Sequence, residues 1–412
     1  MRQVPYTLSY VFARKSPGHL EELLDPTRLG RDPYPIYRTL RDEAPIYWSE
    51  RHRAWLVTRH ENVKWVLTTP ELFSSAERVG APPGVSTIDW QRHSNAFADF
   101  TGFFWSDPPS YTRHRKLWTS LFRPRLAVAE SIVERVVGEL LDGFSSSSEI
   151  DALHDFGLTL PATVILEFLG IPTGDRLFFR EVAEAMITGG DTAREAMDDA
   201  TVYLSTLFEA RQTTPADDMI SGLVRELGDI SLLSAQELRR EVVTIVHFLL
   251  AGHETTASSI SNSVLLMLCD RRLLAQLQDN DQLIPAAVEE FMRFESPLQF
   301  LDRRLAASVE VEGQTLGAGE TVMAFIGSAN RDERMFQAPD QLIVDRHPNK
   351  HLAFGFNIHF CLGAALARLE TVIALRRLVQ RFPGLRLAEN ADPQWRDVMM
   401  FRMLEGLPVV LR

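Results

Sequence analysis

The sequence predicts a mainly α protein with a small β-rich region. Apolar residues recur at three- and four-residue spacing over six long stretches, 112–143, 152–169, 176–187, 192–211, 235–269 and 362–381. Short aromatic and β-branched runs are few. No fixed-period repeat and no long Gly/Ser- or Pro-rich linker divides the chain.

The β-like pieces are brief. Pro-Ile-Tyr-Trp at 45–48 and Ala-Trp-Leu-Val at 54–57 flank charged residues, as in a hairpin. Further candidates are 309–311, 321–325 and 407–411, and Ser145 to Ser148 reads as a loop after a helix. The 412 residues could hold several average domains or one large one. Without a visible linker, the expectation is a single domain over 32–412 after an uninformative segment 1–31.

The central helix has the clearest start. Ser234-Ala-Gln-Glu237 is a capping-box pattern flanked by Leu233 and Leu238, and the periodicity continues to about Cys269. At 1.5 Å per residue such a helix is roughly 50 Å long. Apolar residues lie nearly all round it, which predicts burial. Inside it, Ala251-Gly-His-Glu-Thr-Thr256 contains poor helix formers, which predicts a kink or a ligand pressing on the backbone.

Composition excludes several classes. With 45% hydrophobic and 24% charged residues the chain is neither disordered nor fibrous. A formal charge of −12 argues against binding nucleic acid or an anionic membrane. Two cysteines, Cys269 and Cys361, make neither a disulfide framework nor a four-thiolate metal site and fit a reducing compartment. The N-terminus lacks a sustained apolar signal region, and the apolar run near 242–251 is short and holds Thr244 and His247. The expectation is a cytoplasmic protein without a membrane anchor.

Chemistry concentrates in Phe354-Gly-Phe-Asn-Ile-His-Phe-Cys-Leu-Gly363, followed at once by a helical pattern. A cysteine just before a helix meets unpaired N–H groups and the positive end of the dipole, which favour the thiolate that an iron ligand must be. Gly355 and Gly363 permit turns or close approach to a flat cofactor. A lone cysteine is more commonly a small buried hydrophobe, and Cys269 takes that reading.

The Cys361 segment resembles the haem-binding loop of the cytochrome P450 family, Phe-x-x-Gly-x-His/Arg-x-Cys-x-Gly, and matches it at Phe354, His359, Cys361 and Gly363. Asn357 stands where the family has glycine; asparagine tolerates left-handed backbone, so the loop can still form. Glu290-Phe-Met-Arg293 is similar to the family's Glu-x-x-Arg, joined by Arg346, and implies a structural lock behind the cysteine loop. Ala251 to Thr256 resembles the family's oxygen-binding segment. Gly252 and Thr255 would make room for dioxygen, and Thr255 and Glu254 would deliver protons. His253 is expected to pack rather than bind metal.

The resemblance implies a mostly helical prism with haem b (iron protoporphyrin IX) buried between the central helix and the cysteine loop. Cys361 would be the axial iron ligand, with Phe354, Gly363 and Gly252 against the cofactor. Arg115, Arg303, His351 and His359 would hold the propionates, and Arg303 rather than Arg304 is read as facing the haem. Tyr111 stands where the family usually has histidine and can donate a hydrogen bond without charge. One oxygen atom from dioxygen would enter the substrate by hydroxylation or epoxidation.

No flavin or nicotinamide domain is visible, so electrons are expected from a ferredoxin or flavodoxin with its reductase. No Asp or Glu occurs between Pro108 and Ala129, and Arg113, Lys116, Arg123 and Arg125 make this stretch a docking candidate for an acidic partner.

Segments 75–105, 171–191, 243–250, 297–301 and 399–403 are the expected substrate lining. Their Phe, Leu and Met content points to an apolar, medium-to-large substrate such as a polyketide, fatty acyl chain or terpenoid, free or carrier-bound. Phe97, Phe100, Phe103, Phe104 and Trp105 stand equally for core packing. Two other classes stay open: a haem-thiolate binding or sensing protein without turnover, and a haem enzyme for dehydration, isomerisation or coupling. The intact Glu254–Thr255 pair counts against the first.

Overall fold

A computed structural model of the chain describes residues 18–76, 103–188, 190–389 and 391–412. Its α-helices are α1 (Gly18–Leu23), α2 (Pro26–Arg31), α3 (Tyr34–Glu43), α4 (His60–Thr68), α5 (Ser110–Gly143), α6 (Thr159–Leu169) and α7 (Arg176–Thr188). They continue as α8 (Gly190–Thr213), α9 (Met219–Leu227), α10 (Ala235–Cys269), α11 (Arg271–Asp279), α12 (Ile284–Phe294), α13 (Ile326–Ala329) and α14 (Ala364–Arg381). Each periodic stretch in the sequence corresponds to helix within a few residues.

The central helix α10 starts as its cap dictates. The Ser234 hydroxyl accepts from the Glu237 N–H at 3.3 Å, and the Glu237 carboxylate accepts from the Ser234 N–H at 2.9 Å. The helix then runs 35 residues without the break its polar centre predicts. There the Thr255 hydroxyl donates to the Ala251 carbonyl at 2.5 Å, one turn back, which keeps a poor helix former inside the helix.

Around α10 pack α6, α8, α12, α14 and the π-helical turn Ala152–Gly157. The dominant hydrophobic cluster draws on these helices and on α5. Among the described residues, Ala152–Leu169 is long and apolar enough to cross a membrane, but 67% of it is buried inside this packing.

The strands are β1 (Ile46–Ser49), β2 (Ala54–Val57), β3 (Phe73–Ser74), β4 (Glu149–Asp151), β5 (Leu301–Leu305), β6 (Val309–Val311), β7 (Gln314–Leu316), β8 (Thr321–Ala324), β9 (Arg386–Leu387) and β10 (Pro408–Val410). The expected hairpin is β1–β2, with Ile46 opposite Val57. It extends to a five-stranded sheet in the order β1-β2-β8-β5-β3, in which β2 and β8 are parallel. Strand β5 was not expected from Leu-Asp-Arg-Arg-Leu. It is a strand because it pairs with both β8 and β3, with Arg303 opposite Val322 and Arg304 opposite Thr321.

Residues 18–31, where the sequence was uninformative, form α1 and α2. Leu20, Leu24 and Leu29 are buried in a cluster with Tyr37, Leu56 and Phe325, which seats these helices on the sheet.

Candidate active site

The cysteine loop is shaped by two left-handed residues. Gly355 has φ of 69° and Asn357 φ of 59°, so the asparagine takes the conformation for which the family uses glycine. Its side-chain amide donates to the Thr68 carbonyl at 3.2 Å, which compensates for the residue change. After the short turn Asn357–His359, the Cys361 N–H closes the loop onto the Phe354 carbonyl at 2.9 Å. Gly363 has an ordinary φ of −82°. Its value is space, because a Cβ there would meet nothing closer than the Cys361 Sγ at 4.0 Å.

Cys361 is exposed by surface area, yet protein encloses it closely enough for burial to raise its thiol pKa. The N–H groups of Gly363 and Ala364 and the charges of Arg115 and Arg368 act in the opposite direction. The helix terminus thus favours the thiolate as the sequence predicts, but burial outweighs it, and only a bound cation would hold the sulfur deprotonated.

Three elements converge on this sulfur. From α5, Arg115 donates to the Phe360 carbonyl at 2.8 Å, and the Tyr111 hydroxyl donates to the Ile358 carbonyl at 2.7 Å. The Tyr111 ring lies 4.2 Å from that of His359, centroid to centroid. From β5, Arg303 joins them electrostatically. Burial, then the charge of Arg303, pushes His359 down to about 3, so its ring is neutral at pH 7. Its Nε2 lies 3.3 Å from the Ser75 hydroxyl. Arg304, on the other face of the strand, has its guanidinium near Gly319 instead.

His351 is not part of that group. Its Nε2 lies 3.0 Å from Glu289, and its Nδ1 accepts the Ala353 N–H at 3.2 Å, so the propionate role expected for it is corrected. Arg368 completes the network, bound to Glu289 at 2.6 and 2.9 Å. Burial would push the Glu289 carboxyl up, but the hydrogen bonds from His351 and Arg368 hold it at about 2.

On α10, residues 241–250 are buried, which makes 243–250 core rather than open lining. Accessible surface returns at Ala251, Gly252 and Thr255, which share one side of the helix. At Gly252 a Cβ would lie in ordinary van der Waals contact with the Ile165 side chain, 3.4 Å away, so the packing of α6 does not by itself require the glycine. Glu254 is 4% exposed, and one of its carboxylate oxygens has no hydrogen-bond partner. Burial, then the charge of Glu184, pushes its carboxyl up to about 7 against Arg396 and Arg180. His253, pushed down to about 4 by burial, bonds the Leu158 carbonyl at 3.0 Å and packs as expected.

Behind the loop, Glu290 and Arg293 are fully buried and joined by two 2.7 Å hydrogen bonds. Arg346 adds its Nε at 3.1 Å from both Glu290 oxygens, Asn349 a bond at 3.2 Å, and the Ile343 N–H one at 2.9 Å. Segments 297–301 and 399–403 meet through Gln299 to Met400 and Arg402 to Pro297, both at 2.8 Å. Of the aromatics at 97–105, Phe97 and Phe100 lie outside the described residues. Phe104 packs on Phe248 at 5.3 Å, and Trp105 on His247 at 4.5 Å.

Sequence reasoning missed Glu289, Arg368, Asn349 and the Glu184–Arg396 pair at 2.5 Å. The available signals were slight: Arg368 falls seven residues after Cys361, and Glu289 adjoins Glu290.

The fit to haem can be judged from these residues. Among the described residues no cluster of three or more His, Cys, Asp or Glu is placed to hold a metal, so the site offers one sulfur rather than a protein cage. Gly363 leaves space beside the sulfur, and Arg303 and Arg115 place positive charge around His359, which suits an anionic group. A mainly helical body with a cysteine before a helix, ringed by arginines, defines a haem-thiolate oxidoreductase.

The sequence profile described as Cytochrome P450 matches residues 187–396. The chain is 36% identical over 362 residues to cytochrome P450 107B1 of Saccharopolyspora erythraea, covering 86% of this chain and 89% of that protein. It is also 36% identical to mycinamicin IV hydroxylase/epoxidase of Micromonospora griseorubida, covering 87% and 89%. A solved structure of P450BioI in complex with hexadec-9Z-enoic acid ligated acyl carrier protein superposes with a TM-score of 0.82, at 33% identity and coverage of 93% and 99%. The chain belongs to the cytochrome P450 family. It is an oxidoreductase of the monooxygenase type, and its cofactor is haem b.

Proposed function

We propose that this chain is a cytoplasmic haem-thiolate monooxygenase, a single haem domain over 32–412, that inserts one oxygen atom from dioxygen into an apolar, medium-to-large substrate. Cys361 is the axial ligand; Arg115, Arg303, Tyr111 and His359 hold the propionates, with Phe354 and Gly363 beside the ring. The convergence of these groups from α5, β5 and the loop upon one sulfur carries the reading. Bound haem supplies the activation of dioxygen. A polyketide, fatty acyl or terpenoid substrate, free or carrier-bound, suits the apolar segments, and the relatives named as mycinamicin IV hydroxylase/epoxidase and as a complex with a fatty-acid-ligated acyl carrier protein support it.

Glu254 and Thr255 manage the protons. With its carboxyl near 7, Glu254 is partly protonated at neutral pH, and one of its oxygens has no hydrogen-bond partner. The Thr255 hydroxyl, bonded only within its helix, must turn from Ala251 to pass that proton on. Thr255→Ala is therefore expected to leave haem and substrate binding intact while product formed per reductant falls, since a positioned proton-transfer group contributes roughly 10²–10⁴-fold to its step. In the wild type, coupling should decline as pH rises through about 7, where Glu254 loses its proton. Coupling in Thr255→Ala equal to wild type would remove both residues from the mechanism, and absence of substrate-dependent oxygen uptake in the wild type would favour a sensor.

Electrons are proposed to arrive from an acidic ferredoxin or flavodoxin at the start of α5. Arg113, Lys116 and Arg123 are exposed there, and Lys116 and Arg123 line a groove with Thr119, Ser120 and Pro124. Arg125 is already engaged by Asp217 at 2.9 Å, which narrows the expected set. Arg115, between Arg113 and Lys116, touches the carbonyl next to Cys361. Arg113→Glu with Lys116→Glu should slow reduction by a ferredoxin at low ionic strength, with the deficit shrinking at high salt. Unaltered rates at low salt would place docking elsewhere.

A further inference from the structure

We propose that Arg368, with Glu289 as its counter-charge, sets the reduction potential of the iron bound by Cys361. The inference rests on Cys361 being that ligand. Arg368 stands one turn after Ala364, the first residue of α14, and so lies at the end of the helix nearest the loop. Its guanidinium sits 4.2 Å from the centroid of the Phe354 ring, and the Phe354 carbonyl receives the Cys361 N–H at 2.9 Å. Its charge is one of those acting on the sulfur.

Glu289 grips that guanidinium at 2.6 and 2.9 Å and is oriented from the far side by His351 at 3.0 Å. Because His351 Nδ1 already accepts the Ala353 N–H, Nε2 carries the proton that Glu289 accepts. The result is a fixed dipole whose positive end is stacked on the loop of the ligand. Stability alone does not account for it. Glu289 and Arg368 side chains are 31% and 34% exposed, and a half-exposed ion pair contributes little to folding. The fully buried Glu290–Arg293 pair beside it already performs the locking.

A positive charge near the ligand favours the added electron. Arg368→Gln should lower the ferric/ferrous midpoint potential and Glu289→Gln should raise it. In each case the ferrous-to-ferric ratio at fixed applied potential should change about three- to tenfold, tenfold being 59 mV for one electron. Arg368→Lys and Glu289→Asp keep the charges and should stay near wild type. The measurement is spectroelectrochemical titration of the full-length holoprotein, with the ferrous carbon monoxide spectrum recorded for each variant.

Opposite shifts with a normal spectrum support the proposal. Shifts in one direction, no shifts, or failure of either neutral variant to take up haem would make the network structural and overturn it. A wild type without the red-shifted carbon monoxide band would instead overturn the assignment of Cys361.

Discussion

Cys361→Ser is expected to abolish the strongly red-shifted Soret band of the ferrous carbon monoxide complex and, with it, oxygen insertion. The exchange replaces one atom. The loop around it is held by backbone bonds that the side chain does not make: Cys361 N–H to Phe354, Phe360 N–H to Asn357 and Gly355 N–H to Leu352, at 2.9, 3.0 and 2.8 Å. The fold and the arginines proposed to hold the propionates should therefore survive, leaving ligation as the difference between the proteins. A serine hydroxyl is a far weaker acid than a thiol, and burial here already opposes ionisation of the sulfur. The alkoxide needed to replace the thiolate would not form at neutral pH. Thermal unfolding monitored by circular dichroism should stay close to wild type while the spectrum changes. An unchanged carbon monoxide spectrum in Cys361→Ser would refute the assignment.

What the sequence showed and what it hid separate along physical lines. The start and extent of helix α10 were legible because its cap is a local pattern and its burial is written in apolar residues all round it, but the break expected at its polar centre did not form. The left-handed turn at Asn357 was likewise legible, since it depends on the conformational freedom of one residue. Strand β5 was not, because two adjacent arginines mask it and only pairing with β8 and β3 makes it a strand.

The same distinction applies within the site. Cys361, Arg115, Tyr111, Arg303 and His359 meet as expected. His351 does not, and nothing in a stretch with histidines at 351 and 359 tells which turns toward the sulfur and which toward Glu289. That is decided by the turn at Gly355 and by α12 and α14, which are distant in sequence.

Arg293→Ala is expected to lose most of the folded holoprotein. Arg293 is completely buried and donates five hydrogen bonds: two to Glu290, and one each to the carbonyls of Asn330, Pro339 and Gln341. Truncation strands those acceptors and removes a cation from a carboxylate that has no access to water. Arg346 and Asn349 still reach Glu290, so the loss should be large but not the full cost of a bare buried charge. Breaking such a pair costs roughly 3–5 kcal/mol, against a total stability on the order of 5–15 kcal/mol. Arg293→Lys restores the charge but offers three donors in place of five, and should fall between alanine and wild type. Both the denaturant midpoint and haem retained per chain should fall in the order wild type, lysine, alanine. Whatever holoprotein survives should keep the wild-type carbon monoxide spectrum, because Arg293 acts on the scaffold and touches none of the groups around Cys361. A midpoint for Arg293→Ala equal to wild type would show that Arg346 and Asn349 suffice. A shifted spectrum at normal stability would move Arg293 from the scaffold into the site.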